Sequence, residues 1–447
     1  MTIDRRTWMS QTALAAAAVG LPSDWLLPIL RRADSAPRPF LAEALAVARW
    51  IGQSAQSGDG GTRWPADPAK PDSVGLDFYN GMPGVVVFLA ALHAATRDAR
   101  WLTAARSGAD YLIGQTTAKP DALDNGLYTG LGGLGYTMLA VAKAGGGAKY
   151  AAAARQATEQ IGRRGAIGES NDIITGMAGT GLYLLAAARE WKDREFVNQA
   201  VKVGERLLAT GEPAEGGLMW FPAASFRRNY PNFSHGTAGV GYFLATLYQD
   251  SGDQRFLEGA LKAAHYLDAI ATRRDGATTI FHRSGGGENR FYLSWCHGPV
   301  GTARLFYRLH QITGERRWSD WVDSLSQGAF TAGVPEQRTD GYWNNISQCC
   351  GNVGIGQYTI DLARYHPTSA AAAMRQRIVT NTMERATRDE TGLRWIQAEN
   401  RTEPANLIAQ TGFMQGAAGV GIFLLQLDAV DTGRRWPFPQ PDTPFHG

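Results

Sequence analysis

The chain has three cysteines in 447 residues, and all of them fall in two short motifs. Cys296 lies in Trp-Cys-His-Gly at 295–298, and Cys349 and Cys350 open Cys-Cys-Gly at 349–351. Each motif runs into a Gly-x-x-Gly unit, so the thiols stand at corresponding places of two like segments. Thiols gathered by a repeating fold form the donor set of a soft, four-coordinate metal site. With one position left open and no redox change, that chemistry points to zinc. Two other readings stand beside it: buried thiols that pack as small apolar groups, and a vicinal disulfide between Cys349 and Cys350. An odd count of three excludes a disulfide framework.

Both motifs belong to a longer repeat. A polar residue, a glycine, two residues and a second glycine recur at 80–84, 129–133, 175–179, 235–239, 297–301, 350–354 and 415–419. The first glycines are spaced at about 46 to 65 residues, within or slightly above the range of repeat units. An apolar run follows each unit, as in Val85–Ala95 and Tyr242–Leu247, and reads as a helix buried on all sides. Amphipathic helical stretches lie between, at 41–52, 98–114, 148–163, 193–210, 254–272, 316–329 and 368–387. Seven inner and seven outer helices predict an all-α fold, an α/α toroid or barrel with its glycine turns at one end. An open solenoid is the alternative. A small β-containing insertion is expected around 273–295. The repeated Gly-x-Gly-x-x-Gly pattern lacks the strand and βαβ setting that dinucleotide binding requires.

The repeat register sharpens the site. Aligned on the first glycine, the preceding column reads Asn80, Thr129, Thr175, His235, His297, Cys350 and Gln415. Uniform polarity at the head of buried helices places this column at the mouth of the barrel. Helix N-termini gathered there favour anionic groups such as thiolate or enolate. One residue earlier the column reads Tyr79, Tyr128, Ile174, Ser234, Cys296, Cys349 and Met414. Cys296 and Cys349 therefore occupy one register position in consecutive repeats, side by side.

Trp295-Cys296-His297-Gly298, Cys349-Cys350-Gly351, Ser234-His235-Gly236 and the seven glycine units resemble the lanthionine synthetase C-like cyclases over about residues 40 to 428. The resemblance implies an α/α toroid with a catalytic zinc. It implies addition of a peptide cysteine thiol to dehydroalanine or dehydrobutyrine, which forms a thioether ring. The implied ligands are Cys296, Cys349 and Cys350, the last standing where most members carry histidine. A third thiolate leaves the metal more electron-rich and a bound substrate thiolate more nucleophilic. His235 takes the family's His-Gly position and is the expected proton donor to the enolate, with a capping histidine as the plain alternative. Asp172 matches a family aspartate. It would orient His235, act as an acid or base itself, or cap a helix. Asp77 in the first repeat reads as a cap. His297 would assist proton transfer or stand behind the ligands. The family arginine before Trp-Cys has no direct match: Tyr292 falls at that spacing and Arg290 two residues earlier. Tyr342, Trp343 and Trp395 are expected in the core, with lining of the cleft as the alternative.

Charged residues make up 19% of the chain and the net charge is +3 with mixed signs, which argues against nucleic acid as a partner. Arg5-Arg6 ahead of the apolar run from Ala13 to Leu21 resembles a twin-arginine export signal. The run is too short to span a bilayer, so no stable membrane insertion is expected. Residues 1–36 are set apart as signal and linker, 37–430 as the barrel domain and 431–447 as a C-terminal tail. Export would make the protein periplasmic or extracellular; an ordinary N-terminal helix would leave it cytoplasmic. The expected partners are a dehydrated peptide or protein substrate carrying a cysteine thiol, and a separate dehydratase. Two further functions stand as alternatives. One is an exported carbohydrate-active α/α barrel, which needs a carboxylate pair. The other is a zinc-stabilised peptide-binding protein without catalysis.

Overall fold

A computed structural model of the protein describes residues 37–337, 345–398 and 407–445. The expected export signal, Tyr342 and Trp343 lie outside the described residues. Fourteen α-helices are described, in two concentric sets of seven. The inner set is α2 (Met82–Thr96), α4 (Leu131–Val141), α6 (Met177–Trp191), α8 (Thr237–Ser251), α10 (Pro299–Thr313), α12 (Asn352–Tyr365) and α14 (Ala417–Asp431). The outer set is α1 (Pro39–Gln53), α3 (Ala99–Ala118), α5 (Ala148–Arg164), α7 (Arg194–Thr210), α9 (Gln254–Ile270), α11 (Arg316–Phe330) and α13 (Ser369–Glu384).

Apolar periodicity sorts the two sets. In α8 every residue from Thr237 to Leu247 is buried, because the helix has neighbours on all sides. In α7 only Phe196, Val197, Ala200, Val203, Gly204 and Leu207 are buried, a single stripe at helical spacing. Asp98, Asp193 and Asp253 cap outer helices α3, α7 and α9, each side chain accepting a backbone N–H of the first turn. Such caps contribute about 1 kcal/mol apiece. Each inner helix packs on the outer helix that follows it, and α14 packs on α1.

The barrel is closed. Tyr79 N–H donates to Tyr128 O, Tyr128 to Ile174 O, Ser234 to Cys296 O, Cys296 to Cys349 O, Cys349 to Met414 O, and Met414 back to Tyr79 O, at 2.7–3.1 Å. The link between the third and fourth repeats comes from Ile173 N–H to Ser234 O at 3.0 Å. Apart from Ile173, which stands one residue before its column member, the donors and acceptors are the register column that holds Cys296 and Cys349, so the column forms a hydrogen-bonded ring. Packing repeats the closure: a Cβ on Gly421 of α14 would lie 2.5 Å from the Phe88 ring of α2.

Short antiparallel hairpins are more frequent than the one expected insertion. β1 (Gln56–Gly58) pairs with β2 (Gly61–Arg63), β3 (Glu212–Ala214) with β4 (Gly217–Met219), β5 (Thr272–Arg274) with β6 (Ala277–Thr279), β7 (Thr387–Asp389) with β8 (Gly392–Arg394), and β9 (Gln397–Ala398) with β10 (Leu407–Ile408). The first four follow outer helices and lean on the next outer helix: β2 on α3, β4 on α9, β6 on α11 and β8 on α1. Glu215-Gly216 and Asp275-Gly276 have positive φ at both positions, the geometry of tight hairpin turns.

The second glycine of each repeat is required by a close approach. A Cβ on Gly301 would lie 2.0 Å from Trp295 O and 2.9 Å from Phe233 Cβ, so the cysteine loop folds directly onto the start of α10. Gly301→Ala should destabilise the fold by about 1–3 kcal/mol or more through overpacking. Gly114 of α3 is exposed with open space around it, so Gly114→Ala should instead stabilise by about 0.5–1 kcal/mol. Denaturant unfolding of the two variants beside wild type measures both signs.

Candidate metal centre and active site

The ring of loops brings the three sulfurs together. Cys296 Sγ lies 3.0 Å from Cys350 Sγ, and Cys350 Sγ lies 3.3 Å from Cys349 Sγ. All three lie within 4.8 Å of one another, and none is in a disulfide. Cys296 and Cys349 are buried, and Cys350 is partly exposed. Three free thiols converging on one point, with one reachable from the mouth, fit a thiolate-bound metal with an open fourth position.

In the metal-free cluster the thiols differ. Burial disfavours the Cys349 thiolate, but contacts from Cys296, Cys350 and Tyr79 and the charge of His235 outweigh it and hold its pKa well below the ordinary thiol value. Cys296 is pushed up by burial and by its neighbouring sulfurs; at Cys350 a contact from Cys296 lowers the pKa, but Cys349 and burial outweigh it and push it up. Cys350 Sγ donates to Cys349 Sγ. Tyr79 Oη donates to Cys349 Sγ at 2.9 Å. Gln415 Nε2 donates to the same hydroxyl at 3.3 Å.

His235 and Asp172 form a pair. His235 Nδ1 lies 2.6 Å from Asp172 Oδ2, with side chains 35% and 4% exposed. The other Asp172 oxygen, Oδ1, accepts from Thr175 N–H at 2.9 Å and Gly176 N–H at 2.8 Å. Asp172 therefore caps the turn into α6 and orients His235 at once. Burial opposes protonation of His235, but the Asp172 carboxylate and the Cys349 charge prevail, and its pKa is raised above the ordinary value. In the first repeat, Asp77 Oδ1 accepts from Asn80 N–H at 2.8 Å, a turn contact.

His297 is buried beside these groups. Its ring centroid lies 5.5 Å from His235, 4.6 Å from His282, 5.3 Å from Tyr230 and 5.8 Å from Tyr292. Burial, reinforced by His235 and His282, holds its pKa well below the usual histidine value, so it is a neutral imidazole. At the positions compared with the family arginine, Tyr292 is buried with its ring 4.3 Å from His282, whereas Arg290 is exposed. Trp395 is in the core, its Nε1 donating to Thr382 O at 2.7 Å.

Of the polar column, Asn80, Thr129, Thr175, His235 and Cys350 keep solvent exposure, while His297 and Gln415 are buried. Sequence reasoning missed two site residues. Tyr79 shares the register column of Cys296 and Cys349, and closure makes it a neighbour of Cys349 across Met414; that signal was available. His282 follows β6 in a non-repeating loop and carries no periodic mark.

The family model described as lanthionine synthetase C-like protein matches residues 72–440. The chain belongs to this family. Among solved structures, nisin cyclase aligns at TM-score 0.64 and 15% identity, covering 87% of this chain and 92% of its own. The Lin0763 protein from Listeria innocua aligns at TM-score 0.50 and 13% identity, covering 89% and 99%. An alpha-1,6-mannanase from Salegentibacter sp. HEL1_6 aligns at 0.49 and 15%, covering 88% and 99%. No curated protein matches the sequence. The likeness to nisin cyclase shows the α/α toroid, and among the described residues no helix is long and apolar enough to cross a membrane.

The Tyr79 contact has a measurable consequence. A hydrogen bond donated to a thiolate favours the ionised form, so Tyr79→Phe should raise the Cys349 thiol pKa. The alkylation rate of metal-free Cys350→Ala protein against pH, with and without Tyr79→Phe and read at Cys349, checks this.

Proposed function

We propose that the chain is a zinc-dependent enzyme that adds the thiol of a peptide or protein cysteine to a dehydroalanine or dehydrobutyrine, forming a thioether. The supporting observation is the convergence of three free sulfurs beside an oriented Asp172–His235 pair at the mouth of the toroid. Cys296, Cys349 and Cys350 would hold the metal. Zinc, when bound, supplies the substrate thiol as thiolate at neutral pH.

The remaining work falls to the chain's own residues. As the substrate sulfur bonds to the β-carbon, the π electrons of the alkene move toward the α-carbon and its carbonyl. The α-carbon then needs one proton. With Nδ1 engaged by Asp172, His235 delivers it from Nε2. Asp172 keeps the imidazole charged and in one orientation, and neutral His297 leaves the proton on His235 rather than competing for it. The substrate is a peptide or protein already dehydrated by a separate enzyme. Residues 1–36 would direct twin-arginine export to the periplasm or medium. A reporter fused behind them should be exported, and should be retained when Arg5 and Arg6 become Lys.

Purified wild type should carry about one zinc per chain and Cys350→Ala markedly less, measured by elemental analysis. A wild-type protein that takes up no zinc would sink the proposal. On a peptide carrying cysteine and dehydroalanine, His235→Ala should lower kcat/KM by about 10²–10⁴-fold; an unchanged rate removes His235 from the mechanism. Zinc uptake with no thioether product would favour the peptide-binding reading instead. The pH profile carries a sign. Asp172 raises the His235 pKa, so the acid form persists to higher pH. Asp172→Asn removes that charge and should move the alkaline limb of kcat/KM to lower pH.

A further inference from the structure

Beyond α14 the chain first runs through exposed Thr432, Gly433 and Arg435 and then turns inward. Trp436, Phe438, Asp442 and Phe445 are buried. Tyr136 of α4 donates to Phe438 O at 2.8 Å, and Gln311 of α10 donates to Pro444 O at 3.3 Å. The Phe445 ring lies 4.6 Å from Tyr307 of α10 and 6.0 Å from Tyr358 of α12. Contacts with three inner helices place the side chains of Trp436 and Phe438 and residues 442–445 between those helices, while Pro437 and Pro439 remain exposed.

The upper contacts of this segment are with residues that precede the cysteines. Trp295 Nε1 donates to Asp442 Oδ2 at 2.9 Å, and Trp295 directly precedes Cys296. Arg304 Nη1 donates to Asp442 O at 2.7 Å and reaches Oδ2 at 3.4 Å, with side chains 5% and 2% exposed. Gln348 directly precedes Cys349. Its Nε2 donates to Gln357 Oε1, and Gln357 Nε2 donates to Gln440 Oε1 at 3.5 Å. The two register-equivalent cysteines are thus each preceded by a side chain tied to one segment, directly through Asp442 and by relay through Gln440.

We infer that the C-terminal segment is an internal clamp for the metal centre, with Asp442 as a positioning residue that fixes the Cys296 loop through Trp295. The inference rests on the zinc reading for its main measurement. Arg304 holds the Asp442 backbone at its carbonyl and reaches the same Oδ2 that accepts the indole N–H, so the acceptor for Trp295 is fixed in place. The backbone of Cys296 follows, because Trp295 O is also pressed against Gly301. Groups that orient ligands from behind govern metal affinity strongly.

The test compares full-length wild type, Asp442→Ala, Asp442→Asn and Trp295→Phe. Zinc affinity is read by chelator competition and folding by circular dichroism. Asp442→Ala and Trp295→Phe should bind zinc about 10–100-fold more weakly with helix content kept. Asp442→Asn retains an acceptor for the indole N–H and should stay within about threefold of wild type. A second readout needs no metal: the alkylation rate of Cys296 in metal-free protein should rise about tenfold in Asp442→Ala and Trp295→Phe and little in Asp442→Asn. If wild type takes up no zinc, the proposed function fails while this rate still decides the clamp. Wild-type zinc affinity in both weakened variants, or, without zinc, unchanged alkylation rates, overturns the inference. If Asp442→Ala does not fold, Trp295→Phe decides beside Phe233→Leu, which disturbs the same buried packing but keeps the indole N–H; equal effects of the two overturn the inference.

Discussion

The structure depends on a closed ring of backbone hydrogen bonds at the mouth of the toroid. Each repeat donates an N–H to the next, and the seventh returns to the first. These groups sit among buried residues, where an unpaired amide would cost free energy. Every repeat therefore needs both neighbours. An open array would leave the donor of Met414 and the acceptor of Tyr79 without each other. The same ring decides where side chains stand. Cys296 and Cys349 are successive members of it, so their sulfurs meet, and Cys350 follows one residue on toward the solvent.

The ring also accounts for the double role of Asp172. The turn into α6 needs an acceptor for the Thr175 and Gly176 amides, and a carboxylate meets that need with one oxygen. The second oxygen is left at the mouth, where the next repeat presents His235. A cap and an orienting group are thus the same residue for a geometric reason. Asp77 holds the equivalent place in the first repeat, and its neighbour in the polar column is Thr129 rather than a histidine.

Much of this was legible in the sequence because repetition encodes it. The glycine register marked seven inner helices, and the apolar stripes marked their outer partners. The polar column and the cysteine column followed from alignment alone. What escaped was non-periodic. Apart from β5 and β6, which fall at the insertion expected around 273–295, the hairpins depend on dipeptides such as Glu215-Gly216, too short to stand out from ordinary turns. His282 gains its place only because the loop after β6 folds back over the mouth, its N–H donating to Arg290 O at 2.7 Å. The burial of Trp436, Phe438 and residues 442–445 answers a need that no local pattern reports, the filling of space between inner helices. Tyr79 is intermediate: its column was readable, but its contact with Cys349 follows only from closure.

Charge balance ties the site to the fold. In the proposed zinc site, three thiolates around a divalent cation would leave one net negative charge, which a low-dielectric barrel would not hold unaided. Seven inner helices start at this end, and their N-termini supply partial positive charge to the mouth. His235 adds to it when protonated, and the neighbouring Cys349 charge favours that form. The sulfurs and the histidine therefore stabilise each other's ionised states. If Cys350 is the third ligand of the proposed site, where the resemblance implies histidine in most members, it adds a negative charge that histidine would not. That charge would make a bound substrate thiolate more nucleophilic and would favour protonated His235. The proposed acid would then weaken as the sulfur gained reactivity.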